Sequence, residues 1–154
     1  MIKCRFEGHE LRRFDTLCSL VSSVLITGNS TLHHLALGNP DLKQYESKKR
    51  QYKRWVTNDN VPLERYYLPY IKSLLSTLSA AKELVFSIDG SFVGKGCMCL
   101  MFSVIYKDKA IPVVWRVYKS KKGHLPEKSH QDLLSDLAKV VPCDCRVIIV
   151  GDGS

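Results

Sequence analysis

A chain of 154 residues, 45% of them hydrophobic, has apolar material for one ordinary domain, or for one small domain plus part of another, and is not a disordered polypeptide. Its 23 Lys plus Arg against 15 Asp plus Glu leave a formal net charge of +8, which favours polyanionic partners such as nucleic acid. No apolar stretch approaches the roughly 20 residues of a membrane span, and the start, MIKCRFEGHELRRFD, lacks the apolar centre of a signal peptide, so the sequence predicts a cytoplasmic protein with no membrane partner.

From Leu11 to Ile26 the apolar residues Leu17, Leu20, Val21, Val24 and Leu25 recur at helical spacing, and TGNS closes that helix while offering Asn29 or Ser30 as the next N-cap. A short second helix through Leu32, Leu35 and Ala36 stops at LGNP. Asp41 is placed to cap a third, DLKQYESKKRQYKRWV, in which Leu42, Tyr45, Tyr52 and Trp55 form the apolar side. Its charge comes from Lys43, Lys48, Lys49, Arg50, Lys53 and Arg54, opposed in the helix body by Glu46. Such a helix is either a solvated face or one that lies along DNA phosphates and releases their counterions. After TNDNVP, helical spacing returns with Leu68, Ile71, Leu74, Leu75 and Leu78, and Pro69 either kinks that helix or sits in its first turn.

Beyond Lys82 the pattern changes from helical to mixed. ELVFSID reads as a strand buried on both faces, and GCMCLMFSVIYKDKAIPVVWRVY as two strands joined by the polar KDK, a hairpin. A basic loop carrying Lys119, Lys121 and Lys122, with Arg116 just before it, leads to a helix SHQDLLSDLAKVV that Ser129 is placed to cap. CRVIIVGDGS is a second strand of the buried type. The six cysteines, at positions 4, 18, 97, 99, 143 and 145, read as free thiols, because the C-x-C pairs lack the C-x₂₋₄-C spacing of structural zinc sites. The division expected is a helical segment, 1–80, followed by an α/β region, 81–154.

Two apolar strands, 84–88 and 146–150, each deliver one Asp at the C-terminal end, Asp89 and Asp152, followed by a Gly and a Ser. A crossover helix before the second strand lets it lie parallel to the first, which brings the two acids side by side at one edge of the sheet. Carboxylates that close repel unless a divalent cation sits between them, and an oxygen site with open positions suits Mg²⁺ bound to substrate phosphates. Phosphodiester chemistry is the reaction class that this pairing predicts. The competing reading is that each Asp starts a turn after a strand.

The stretch LVFSIDGSFVGKGCMCLMFSVIYKDKAIPVVWRVYKSKKGH, with CRVIIVGDGS after a helix, resembles the catalytic core of bacterial insertion-sequence transposases of the DDE type, over roughly residues 80–154. Its most specific elements are SIDGS, AIPVVWRVY and VIIVGDGS. The resemblance implies a helical segment followed by the first half of a ribonuclease H-like α/β domain, a mixed sheet with a crossover helix, α+β overall. It implies Asp89 as the first catalytic and metal-binding acid, Asp152 as the second, and a Glu on a much later helix as the third. Mg²⁺ or Mn²⁺ is the expected cofactor, transposon-end and target DNA the expected partners, and a homodimer the form of the full-length protein. Residues 10–56 resemble, less specifically, the helix-turn-helix-like end-binding region that precedes such cores. The chain stops at Ser154, ahead of any third acid, and the expectation is a truncated transposase, inactive alone. The alternative is a DNA-binding remnant that cuts nothing or inhibits a full-length transposase.

Overall fold

The computed structural model describes residues 5–38, 44–120 and 125–151. The chain divides into two compact units, Met1–Tyr67 and Leu68–Ser154. The division falls ahead of the change of pattern at Lys82, because the helix of the second unit runs through a 3-10 turn, Ser79–Ala81, into the first strand. No helix among the described residues is long and apolar enough to cross a membrane.

The first unit holds α1 (Gly8–Thr27), α2 (Leu32–Leu37), α3 (Tyr45–Val56) and the single turn α4 (Leu63–Tyr66). α1 ends where Gly28 takes the left-handed conformation at φ 62°, its N–H donating to the Val24 carbonyl, a position that costs Gly little. α2 starts at the N-cap Thr31 rather than Asn29 or Ser30; Asn29 instead accepts from the Thr31 N–H through Oδ1 at 2.9 Å. The described part of α3 begins after Gln44, and the expected cap Asp41 lies outside the described residues, as do Leu42 and Lys43. Leu20, Leu35 and Tyr52 form the core that joins the three helices, with Leu32 and Trp55 packed on it. Tyr52 is fully buried, and its hydroxyl is shared with Ser19 at 2.7 Å and Ser23 at 3.2 Å on α1.

In the second unit α5 (Leu68–Leu78) precedes β1 (Glu83–Gly94), β2 (Cys97–Tyr106), β3 (Lys109–Lys119), α6 (Glu127–Ala138) and β4 (Arg146–Gly151). Pro69 sits in the first turn of α5, where its missing N–H costs nothing. The strands make one mixed sheet in the order β3-β2-β1-β4, with β1, β2 and β3 antiparallel and β4 parallel to β1. A two-residue turn at Lys107 and Asp108 joins β2 to β3, with Lys107 at φ 54°. Pro112 is tolerated because β3 is an edge strand of this sheet, and next to it the register shifts between Phe102 and Ser103.

Three expectations need correction here. β1 does not end at Ile88: it continues through Asp89 and Gly90, whose partners on β2 are Met101 and Leu100. β4 is not buried on both faces. It is the outer strand of the described sheet, and Val147, Ile149 and Val150 are each at least 40% exposed. Ser129 likewise does not cap α6; Pro126 is the N-cap residue, and Ser129 is buried in the first turn with its carbonyl accepting from the Tyr118 hydroxyl.

Strand alternation divides the sheet into two faces. Phe86, Val104, Phe102, Leu100, Val114 and Arg116 share one of them by register, and α6 packs on β2 and β3 with Leu133 and Leu137 buried. Arg116 clamps the helix: Nε and Nη2 both donate to Asp136 Oδ2 at 2.7 Å, Nη1 lies 3.6 Å from Asp132, and Lys139 takes Asp136 Oδ1 at 2.9 Å. The hydrogen bond from Arg116, with Lys139 adding to it, holds the Asp136 carboxyl below its ordinary value of 3.8. A carboxyl lowered in the folded state stabilises fully above its unfolded value, and that contribution disappears as pH falls through the lowered one. Wild type should therefore unfold at higher urea than Asp136→Asn at about pH 7, with the gap closing toward about pH 2. A gap of the same size at both pH values, by circular dichroism, would assign it to packing instead.

Candidate functional site

The geometry around Asp89 follows from the parallel pairing of β1 with β4. That ladder runs from Glu83 opposite Arg146 to Ser87 opposite Val150 and Ile88 opposite Gly151. Its last pair stands immediately before Asp89 on one strand and Asp152 on the other; Asp152 lies outside the described residues, as do Gly153 and Ser154. A Cβ at Gly151 would meet Ile88 Cγ2 at 2.9 Å, so a larger residue there would have to displace the Ile88 side chain. Gly90, by contrast, is ordinary strand and not the sharp turn expected after an acid.

Asp89 lies on the sheet face opposite α6, with Ser87 before it and Ser91 after it. It is exposed, so the cost of desolvating a buried carboxylate, which would have demanded a cationic partner, does not arise. Its Oδ2 accepts a hydrogen bond from the Ser91 hydroxyl at 2.6 Å, and among the described residues no Lys or Arg pairs with it. Hard carboxylate oxygen, open to solvent and uncompensated, is the donor type that Mg²⁺ and Mn²⁺ take. Across the ladder, burial pushes the Cys99 thiol up, and the charge of Asp89 adds to the shift, so Cys99 is a neutral thiol beside the acid and not a reactive thiolate.

Three other acids of this unit have surroundings of their own. Glu83 starts β1 and pairs with Arg146 at 3.5 Å, Glu127 accepts from the Gln131 amide at 3.0 Å on α6, and Asp144 is exposed ahead of β4. Among the described residues no three His, Cys, Asp or Glu group so as to hold a metal ion. His33 and His34, adjacent on α2, turn their Nδ1 atoms to different partners, Tyr45 and Thr31.

The basic residues fall into three groups. On α3, Arg50, Lys53 and Arg54 are exposed, while Lys48 and Lys49 are half-buried, Lys49 with its ammonium 5.6 Å from the Tyr45 ring centre. On β3, Lys119 is exposed, whereas Arg116 already has Asp136 and Asp132 as partners, so its charge is met within the unit. Lys43, Lys121 and Lys122 lie outside the described residues, as does His124.

A feature that reading α3 alone does not reveal is a groove of about 310 Å³ between α1 and α3, lined by His9, Arg12, Arg13, Thr16, Gln51, Arg54, Trp55 and Asn58. α1 contributes His9, Arg12, Arg13 and Thr16 at positions i, i+3, i+4 and i+7, and α3 contributes Gln51, Arg54 and Trp55 at i, i+3 and i+4, with Asn58 just past its end. The signal was present in HELRRFDT and QYKRWVTN, but only the packing of α1 on α3 brings the two faces together. Two hydrogen bonds fix the groove's walls: Gln51 Nε2 to Thr16 Oγ1 at 3.1 Å and Trp55 Nε1 to the Arg13 carbonyl at 2.8 Å.

Compared with protein-family models, with curated proteins and with solved structures, the chain matches none of them.

Proposed function

We propose that the chain acts on DNA as a transposase of the DDE type, or as a piece of one, in a bacterial cytosol, with its second unit forming the first half of a ribonuclease H-like core. The single observation that carries this reading is the parallel β1–β4 ladder, which ends at Ile88 and Gly151, one residue before Asp89 and Asp152. Ser87 and Val150 are paired on the face of Asp89, where neighbouring strands run roughly 4.8 Å apart, and in this reading the second acid continues that register. The order β3-β2-β1-β4, with α6 between β3 and β4, also supports it, since the first acid is expected on strand one and the second on the strand after the first core helix.

In this reading Asp89 and Asp152 hold Mg²⁺ or Mn²⁺, which when bound supplies activation of the attacking oxygen and neutralisation of charge at phosphorus. Asp89 offers its carboxylate to the metal, and Ser91 orients that carboxylate through the 2.6 Å hydrogen bond. The reaction served is hydrolysis at a transposon end and attack of the freed 3′-hydroxyl on target DNA. Calorimetric titration with Mn²⁺ tests the assignment. Asp89→Asn is expected to weaken binding by more than about tenfold, the smaller of the losses seen even when an outer-shell partner is removed. Unchanged affinity would overturn it.

A second reading, a chain that binds DNA and cuts nothing or inhibits a complete transposase, is favoured by one observation: among the described residues no three His, Cys, Asp or Glu group so as to hold a metal ion. Retained DNA binding with no Mn²⁺-dependent nicking of the bound duplex would select it.

A further inference from the structure

We propose that the groove between α1 and α3 is a phosphate clamp for a DNA backbone, closed on its ligand by Arg12, Arg13 and Arg54. The choice of occupant rests on the DNA-binding part of the function proposed above and not on the metal site.

The lining carries three guanidinium groups, one imidazole and two amide side chains, and no carboxylate. Among the described residues Arg12, Arg13 and Arg54 form no ion pair. The acids nearest in sequence are Glu10 and Asp15: Glu10 is held by Arg65 at 2.7 Å, the main reason its carboxyl is lowered, with Arg13 adding only the smallest contribution, and Asp15 is exposed and forms no ion pair among the described residues. Arginines left uncompensated on facing helices repel one another, so the arrangement calls for an anion between them. Guanidinium donors in a fork match the paired oxygens of a phosphodiester.

The shape selects a polymer over a small ion. His9 to Thr16 on α1 extend about 10 Å at 1.5 Å per residue, longer than the roughly 3.4 Å axial spacing of phosphates along one strand. The groove is also held open from within: Trp55 and Gln51 spend their donors on the Arg13 carbonyl and on Thr16, which fixes the α1–α3 spacing and leaves the guanidinium groups for the ligand. Arg50 and Lys53, beside Arg54 on α3 but outside the groove lining, are placed to extend the contact along the same backbone.

The test uses the whole chain and a fluorescein-labelled duplex of about 20 base pairs and mixed sequence, with affinity measured by anisotropy over a KCl series. Arg12→Gln together with Arg54→Gln is expected to weaken binding equally for unrelated sequences and to reduce the slope of log K against log salt by about 2, since each phosphate contact contributes about 0.9. Lys128→Gln on α6, with the same change of charge per site, is expected to leave the slope unchanged. Both arginines are exposed, and circular dichroism confirms the fold of the double variant. If wild type binds the duplex and the double variant keeps its affinity and slope, the clamp is overturned while DNA binding elsewhere stands. If wild type binds no duplex at low salt, both are overturned. If inorganic phosphate binds and is lost in the double variant while duplex binding is unchanged, the groove takes a free anion and the backbone clamp is overturned. Calorimetry with Mn²⁺ on Asp89→Asn reads the metal site separately, so failure there leaves this result untouched.

Discussion

Replacing Phe86 by alanine is expected to cost the second unit about 4 kcal/mol, enough to remove most of the margin by which a domain of this size is folded. Phe86 is fully buried, near the middle of the sheet, with Val104 opposite it on β2 and Ile149 opposite it on β4. Truncation there removes the transfer energy of the ring and leaves a cavity that fixed strands cannot collapse to fill. Phe86→Leu keeps most of the volume and should cost less than about 1.5 kcal/mol. Hydrogen exchange over residues 83–119 measures the difference, because loss at Phe86 should deprotect β1, β2 and β3 together. An alanine variant within about 1 kcal/mol of wild type would mean that the core is centred elsewhere.

The second large effect is expected in the first unit. Tyr52→Ala should cost about 3–5 kcal/mol, since the ring is the part of α3 that fills the core against Leu20 and Leu35. Tyr52→Phe should cost about 1 kcal/mol, through the hydroxyl shared with Ser19 and Ser23, the latter itself buried. The pair of variants separates packing from hydrogen bonding and connects both to function. Tyr52 faces the core one residue after Gln51, whose amide fixes one wall of the arginine groove. Tyr52→Ala is therefore expected to abolish duplex binding in the anisotropy assay, and Tyr52→Phe to retain it. Full binding by a destabilised Tyr52→Ala protein would detach the groove from the α1–α3 packing.

Sequence periodicity made much of this legible where local structure and burial agree. The helical spacing of Leu17, Leu20 and Val24 marks α1, and Gly28 ends it; Ile71 and Leu75, on one face of α5, are the residues buried there. The hairpin β2–β3 was plain from its apolar runs around Lys107 and Asp108. What escaped was set by distant partners. Gly90 and Ser91 read locally as a turn, yet β2 supplies a ladder that carries β1 through them to Gly94, so Asp89 is inside a strand. Val147, Ile149 and Val150 read as buried because they are apolar, but burial needs a neighbour on the far side, and the described sheet has none beyond β4. Arg116 read as one more basic loop residue; its partners Asp132 and Asp136 sit one turn apart on α6, a relation visible only once the helix is laid on the sheet.

The central claim is that Asp89, within β1, and the end of β4 form one divalent-cation site. It is tested most directly by adding substoichiometric Mn²⁺ to the ¹⁵N-labelled chain and following the amide signals. The account predicts that Ile88, Gly90 and Gly151 broaden first, and that Asp89→Asn abolishes this. Broadening centred on other acids, such as Asp108 or Asp144, with the β1 and β4 signals unaffected, would contradict it.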